Sequence, residues 1–157
     1  MPSQTLSIPL LLWWRLLREL RRRGRGKRES GAFLLGLACS AKVSRFICYD
    51  DLDPHALDSG IIQFDGSGYV PLWQLCREKN LRVFADVHTH PGDWTEQSGS
   101  DRTHPMISQS GHVALIVPNF ARRTLQKLHG VGIHEYLGNH HWKSWKPKSG
   151  KVRFTIL

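Results

Sequence analysis

The segment Asp86-Val-His-Thr-His-Pro-Gly-Asp-Trp-Thr-Glu-Gln-Ser-Gly-Ser-Asp101 sets two histidines one residue apart and follows them with acids and hydroxyls. On a strand, side chains two apart share a face, so His88 and His90 would project together at its end. Two imidazoles on one rigid element need only a third ligand to make an open metal site. Asp101, eleven positions after His90 (101 − 90), can return from the polar loop between them to supply it. Three protein ligands leave a fourth position for water, which is the arrangement of a catalytic zinc and not of a structural one. One zinc per chain is the expectation. An HxH pair alone is common among surface and core histidines; the added weight comes from Pro91, Ser98 and Asp101 behind it.

Hydrolysis at such a centre also needs a carboxylate that takes a proton from water and passes it to the leaving amine. Glu29 is the candidate, at the mouth of the apolar run Ser30-Gly-Ala-Phe-Leu-Leu-Gly36. A glutamate closing an arginine-rich stretch is also an ordinary surface counter-charge. The residues alone leave both readings open.

The elements that must hold these groups follow from hydropathic period. Residues 4–8 suggest a short edge strand. Leu10, Trp13, Trp14, Leu17 and Leu20 recur at helical spacing to about residue 23, with Arg15, Arg18 and Arg22 opposite, and Gly24 and Gly26 end that helix. The expected use of its apolar face is packing on a sheet; Leu11, Leu12 and Leu16 widen it enough to suggest a membrane-surface or partner-binding helix as the lesser reading. Strands are expected over 32–38, 43–49, 81–90, 112–118, 131–137 and 152–157, an acidic turn over 50–58, a second helix over 69–80, and a short helix opening at Asp101. The fold class is α/β: a single domain over 1–157, a mixed sheet flanked by helices, with a basic N-terminal helix over about 9–28.

Composition narrows the field. The chain has 157 residues, 40% hydrophobic and 22% charged, ordinary for a folded soluble domain. No stretch reaches the apolar length that spans a bilayer, and the apolar residues at the N-terminus precede the basic ones, the reverse of a secretory signal. A cytoplasmic location is expected. Cys39, Cys48 and Cys76 are odd in number and form no CxxC pair, which argues against disulfides and thiolate zinc and for three buried small hydrophobes. The net charge of +9 is uneven: eight Lys and Arg fall between Arg15 and Arg28 against one acid, Glu19. Such a block can meet nucleic acid, an anionic membrane or an acidic protein, or be a solvated face. His140, His141, Trp142 and Trp145 with Lys143, Lys146 and Lys148 read as a solvated basic edge with packed tryptophans, with nucleic-acid stacking the lesser use, and His104 as a helix-surface residue, with a hydrogen bond near the site the lesser reading.

Glu29 ahead of Ser-Gly-Ala-Phe-Leu-Leu-Gly, then His88-Thr-His90-Pro91 and Ser98-Gly-Ser-Asp101, resembles the JAMM motif of the JAB/MPN metalloprotease family, over roughly Leu6 to Phe120. The resemblance implies zinc on His88, His90 and Asp101, Glu29 as the general acid/base, and Ser98 as a hydrogen-bond donor to the developing oxyanion. The implied reaction is isopeptide or peptide cleavage after the C-terminal glycine of a ubiquitin-like protein, and the implied partner is that protein or its conjugate. Bacterial stand-alone members imply an antiphage operon setting, or processing of ubiquitin-like sulfur carriers. Thr89 stands where a serine is common, and Asp86 where an aromatic residue is. Asp86 is then either a partner that orients a ligand histidine or a strand-end acid, and Trp94 either a substrate contact or a loop anchor.

The competing class is a nucleic-acid-associated protein on the same fold, as in the RadC-like branch, motivated by the charge. Zinc nucleoside deaminases need HxE with PCxxC, and neither occurs.

Overall fold

The structure, a computed structural model, describes residues 5–123 and 125–156. In chain order the elements are β1 (Leu6–Pro9), α1 (Leu10–Gly24), β2 (Gly31–Leu37), β3 (Arg45–Cys48), α2 (Tyr49–Leu52), α3 (Tyr69–Lys79), β4 (Leu81–Thr89), α4 (Gly99–Thr103), β5 (Val113–Val117), β6 (Gly132–Gly138), β7 (His141–Trp145) and β8 (Val152–Thr155). The expected outer strand ends at Gln4 and Leu157 lie outside the described residues.

A six-stranded mixed sheet runs β3-β2-β4-β5-β6-β7, antiparallel except for the parallel pair β4–β5. One face is covered by α1, with β1 and β8 forming a separate parallel pair beside it. α1 ends on Gly24, with Arg25 left-handed as its cap. Leu12, Trp13, Leu16, Leu17 and Leu20 of α1 are buried against Ala32, Leu34, Ala85, Val87 and Leu115. Fully burying one such leucine is worth about 1.5–3 kcal/mol, which is why the amphipathic pattern resolves into a core helix. Its apolar face is therefore spent in the core, and the membrane-surface reading of α1 is corrected. The other face carries α2, α3 and the 53–64 loop over Phe33, Leu35, Tyr49, Leu57 and Leu72.

Three expectations change. The acidic turn holds the helical turn α2, whose Asp50 and Asp51 pair with Arg23 at 3.0 and 2.8 Å. The basic aromatic tail is strand β7, where Trp145 Nε1 donates to Glu135 at 2.9 Å and gives the segment a pairing partner that its composition does not announce. Cys39 is exposed in the turn after β2, whereas Cys48 and Cys76 are buried; apolar neighbours in sequence did not predict its side of the turn.

One irregularity decides where the chemistry lies. β2 and β4 slip register between Leu34 and Leu35, leaving Phe84 as an extra residue in β4. Leu81 and Val83 pack on the α3 face, Phe84, Ala85 and Val87 on the α1 face. The bulge thus shifts the alternation by one residue, and Asp86 and His88 return to the α3 face.

Candidate metal centre

His88 and His90 stand at the carboxyl end of β4, buried at 7% and 4% exposure. The backbone of His90 is clamped: its N–H donates to the Val117 carbonyl and its carbonyl accepts from the Phe120 N–H, both at 2.9 Å. The clamp comes from Asn119, Phe120 and Ala121, three successive non-glycine residues with φ of 57°, 53° and 57°. Left-handed backbone of this kind costs about 1–3 kcal/mol per residue and persists only where its surroundings impose it.

Asp101 arrives from α4. Ser98 caps that helix: its Oγ accepts from the Asp101 N–H at 3.0 Å, and its own N–H donates to Asp101 Oδ2 at 2.9 Å, a reciprocal capping box. The helix start thus lies at Ser98 and not at Asp101, and the Ser-x-x-Asp spacing is what aims the carboxylate.

The three side chains meet at one point. His88 Nε2 and His90 Nε2 are 3.3 Å apart, His90 Nε2 and Asp101 Oδ2 3.2 Å, and His88 Nε2 and Asp101 Oδ2 3.4 Å. A tetrahedral cation with bonds of about 2.0 Å needs ligand edges of about 3.3 Å. The donor chemistry agrees. His90 Nδ1 lies 3.0 Å from the Trp94 carbonyl, which can only accept, so Nδ1 carries a proton and Nε2 is the ring nitrogen turned toward His88 and Asp101. These residues could hold a metal ion.

Electrostatics follows the same geometry. Burial alone would raise the Asp101 pKa, but hydrogen bonds with His88 and His90, the His88 charge and the Ser98 N–H hold it far below the usual carboxylate range. Burial works to lower the pKa of His88, and the Asp101 contact, with the charges of Asp86 and Glu29, more than reverses this.

Asp86 is no strand-end acid. It is 2% exposed, accepts from Tyr49 Oη at 3.2 Å, lies 2.6 Å from His112 Nε2, and sits 4.0 Å from His88 Nδ1. Gly31, paired with His88 across the sheet, makes room for this: a Cβ there would lie 2.3 Å from the Tyr49 ring. Burial and the Asp86 charge push the Tyr49 phenol well above its ordinary pKa, so it remains a donor. The Trp94 ring, 54% exposed, stacks on His90 at 5.5 Å and 18°. Thr89 faces the other way and receives the Ser30 N–H at 3.0 Å, latching β4 to the start of β2.

A cleft of about 610 Å³ opens beside His88 and Asp101, with Glu29 and Ser98 also in its walls and Phe64 and Tyr69 among its apolar lining. Glu29 Oε1 accepts from the Ile62 N–H at 3.3 Å, and its own N–H donates to the Gly60 carbonyl at 2.9 Å, so the bend at 60–62 fixes it in the cleft wall. His104 is exposed, as expected of a surface residue, and stands in the wall of the same cleft.

Besides His112, two residues went unnoticed in the sequence. His134 of β6 holds the loop that carries Trp94: its Nε2 donates to the Thr95 carbonyl at 2.9 Å and its Nδ1 accepts from Ser144 Oγ at 2.8 Å. Burial lowers its pKa against the opposing pull of the Thr95 carbonyl, which keeps it neutral in this role. Beside it, a Cβ on Gly132 would lie 2.0 Å from the Thr95 carbonyl oxygen. No spacing relative to HxH marks either residue, because both lie two strands away. Gly132→Ala is expected to lift the loop, detach the Trp94 carbonyl from His90 and weaken metal affinity by about 10–100-fold. Chelator competition measures this; unchanged affinity would show that the loop does not set the site.

No protein-family model matches the chain. Among solved structures it is similar to the solution structure of a protein from Desulfitobacterium hafniense, at 14% identity and a TM-score of 0.65, covering 96% of this chain and 93% of that one. That likeness establishes a shared fold. It also overlaps a JAB1/MPN domain protein from Archaeoglobus fulgidus at 14% identity and a TM-score of 0.49, covering 98% and 99% of the two chains. An overlap that loose carries no weight of its own, and any family reading rests on the site residues.

Proposed function

We propose that this chain is a zinc peptidase of the JAB/MPN type that cleaves after the C-terminal glycine of a ubiquitin-like protein, by deconjugation or precursor processing. The observation that carries the proposal is the triangle of His88 Nε2, His90 Nε2 and Asp101 Oδ2, with 3.2–3.4 Å edges, beside a cleft whose wall contains His88, Asp101 and Glu29. Nitrogen and oxygen donors at those separations suit zinc, and zinc when bound supplies Lewis acidity and a water that deprotonates near neutral pH.

The chain's own residues do the rest. Glu29 takes the proton of the attacking water and delivers it to the departing amine. Ser98 spends its lone pair on the Asp101 N–H, so its hydroxyl proton is left to donate to the carbonyl oxygen as negative charge develops there. Asp86, locked by Tyr49 and His112, places a negative charge 4.0 Å from His88 Nδ1 and favours the tautomer that leaves Nε2 free for metal. The apolar lining of the cleft excludes water from an extended glycine-ended tail. The setting we favour is the antiphage one, which rests on the resemblance to bacterial stand-alone members.

Incubation with fusions ending in several ubiquitin-like C-terminal tails, with and without chelator, tests the reading. Cleavage after the terminal glycine that stops on chelation and returns with zinc is expected. Intact fusions throughout, with zinc bound, would sink it.

A further inference from the structure

The basic block around α1 is not used by the metal site, and its side chains are not scattered. Arg15 and Arg18 stand one turn apart on the exposed face of α1, and Arg45 on the exposed edge strand β3 faces them across a groove of about 460 Å³. Arg23 and the half-buried Phe46 also line it, and Glu19 is its single acid. Arg23 is neutralised by Glu19, Asp50 and Asp51, and Arg22 by Glu19. Arg15, Arg18 and Arg45 have no carboxylate within 4.0 Å among the described residues. Three unneutralised guanidinium groups rim one groove that has an aromatic ring in its wall.

We propose that this α1/β3 groove binds single-stranded nucleic acid, with Arg15, Arg18 and Arg45 on successive phosphates and Phe46 against a base. Guanidinium forks match phosphate oxygens two at a time, and a positive groove with an aromatic platform is how single strands are held without sequence preference. An anionic membrane is the weaker fit: the apolar face of α1 is buried in the core, and Leu11 is the one exposed large apolar side chain on the helix. The groove lies on the α1 side and shares no residue with the metal cleft, so this inference stands apart from the proposed peptidase function.

The test is fluorescence anisotropy of the full chain with a labelled oligothymidylate, a duplex of equal length and phosphatidylserine vesicles, from about 25 to 200 mM salt. Binding of the single strand in preference to the duplex is expected, weakening steeply with salt. The triple variant Arg15→Gln/Arg18→Gln/Arg45→Gln should bind more than tenfold more weakly, with a salt slope shallower by about 2, or 0.7 per lost phosphate contact. Phe46→Leu, which keeps the apolar bulk, should weaken single-strand binding about tenfold through lost stacking. Zinc content and thermal transition, equal to those of the parent, certify each variant as folded. No binding at the lowest salt, equal binding by either variant, preference for the duplex, or capture by vesicles alone would each overturn the proposal.

Discussion

Glu29→Gln is expected to keep a full complement of zinc while hydrolysis falls by about 10²–10⁴-fold, the usual contribution of a positioned general acid/base. The substitution conserves shape, and the amide oxygen can still accept the Ile62 N–H that holds Glu29 Oε1 at 3.3 Å. What is lost is the ability to take and return a proton. Glu29 makes no contact with the His88–His90–Asp101 triangle that would make it a ligand, so metal content should not follow activity down. Metal analysis beside initial rates on a cleavable fusion separates the two. Ordinary turnover in the variant would remove Glu29 from the mechanism and return it to its alternative reading as a counter-charge. Loss of metal together with activity would make it part of the metal site.

Removal of a ligand should have the opposite signature. His88→Ala leaves two donors, too few to hold zinc against dialysis, so metal falls from about one per chain to near none and activity to background. Asp101→Ala should do the same, with an added local cost. The Asp101 carboxylate accepts the Ser98 N–H in the capping box, and losing that bond costs α4 about 1 kcal/mol. Asp101→Asn separates these effects, since an amide oxygen can still accept at the cap while the negative charge is gone. Neither change should unfold the chain, because both hydrophobic clusters lie beneath the sheet faces and not around the triangle. Either variant retaining stoichiometric metal and normal cleavage would dissolve the proposed centre.

The site was legible in the sequence to the extent that it is local. His88 and His90 must share a face on any strand, and a short helix at Asp101 was expected, though the capping box that starts it on Ser98 went unread. The helical stripe of Leu and Trp in α1 was equally plain. Asp86 and Trp94 were recognised as residues with two possible uses each, and geometry narrows both: Asp86 is buried between Tyr49 and His112, and Trp94 stacks on His90 while lending it a carbonyl. His112, His134 and Gly132 were invisible because their partners are Asp86 and Thr95, 26, 39 and 37 positions away, with no periodic signal linking them. β7 was missed because an edge strand of His, Lys, Ser and Trp has no apolar alternation; its pairing to β6 supplies what its composition lacks.

From its own residues the chain determines which groups are present, that two imidazoles project together, and that a carboxylate is aimed by its own helix start. These depend on backbone period and on hydrogen bonds between near neighbours. Only the tertiary structure decides which side of the sheet they occupy. An unbroken alternation from Leu81 and Val83 would put His88 on the α1 face with the hydrophobic core; the bulge at Phe84 turns it toward the cleft that also holds Glu29. Register is a property of two strands at once, set by how β2 and β4 pair, and no reading of one strand contains it.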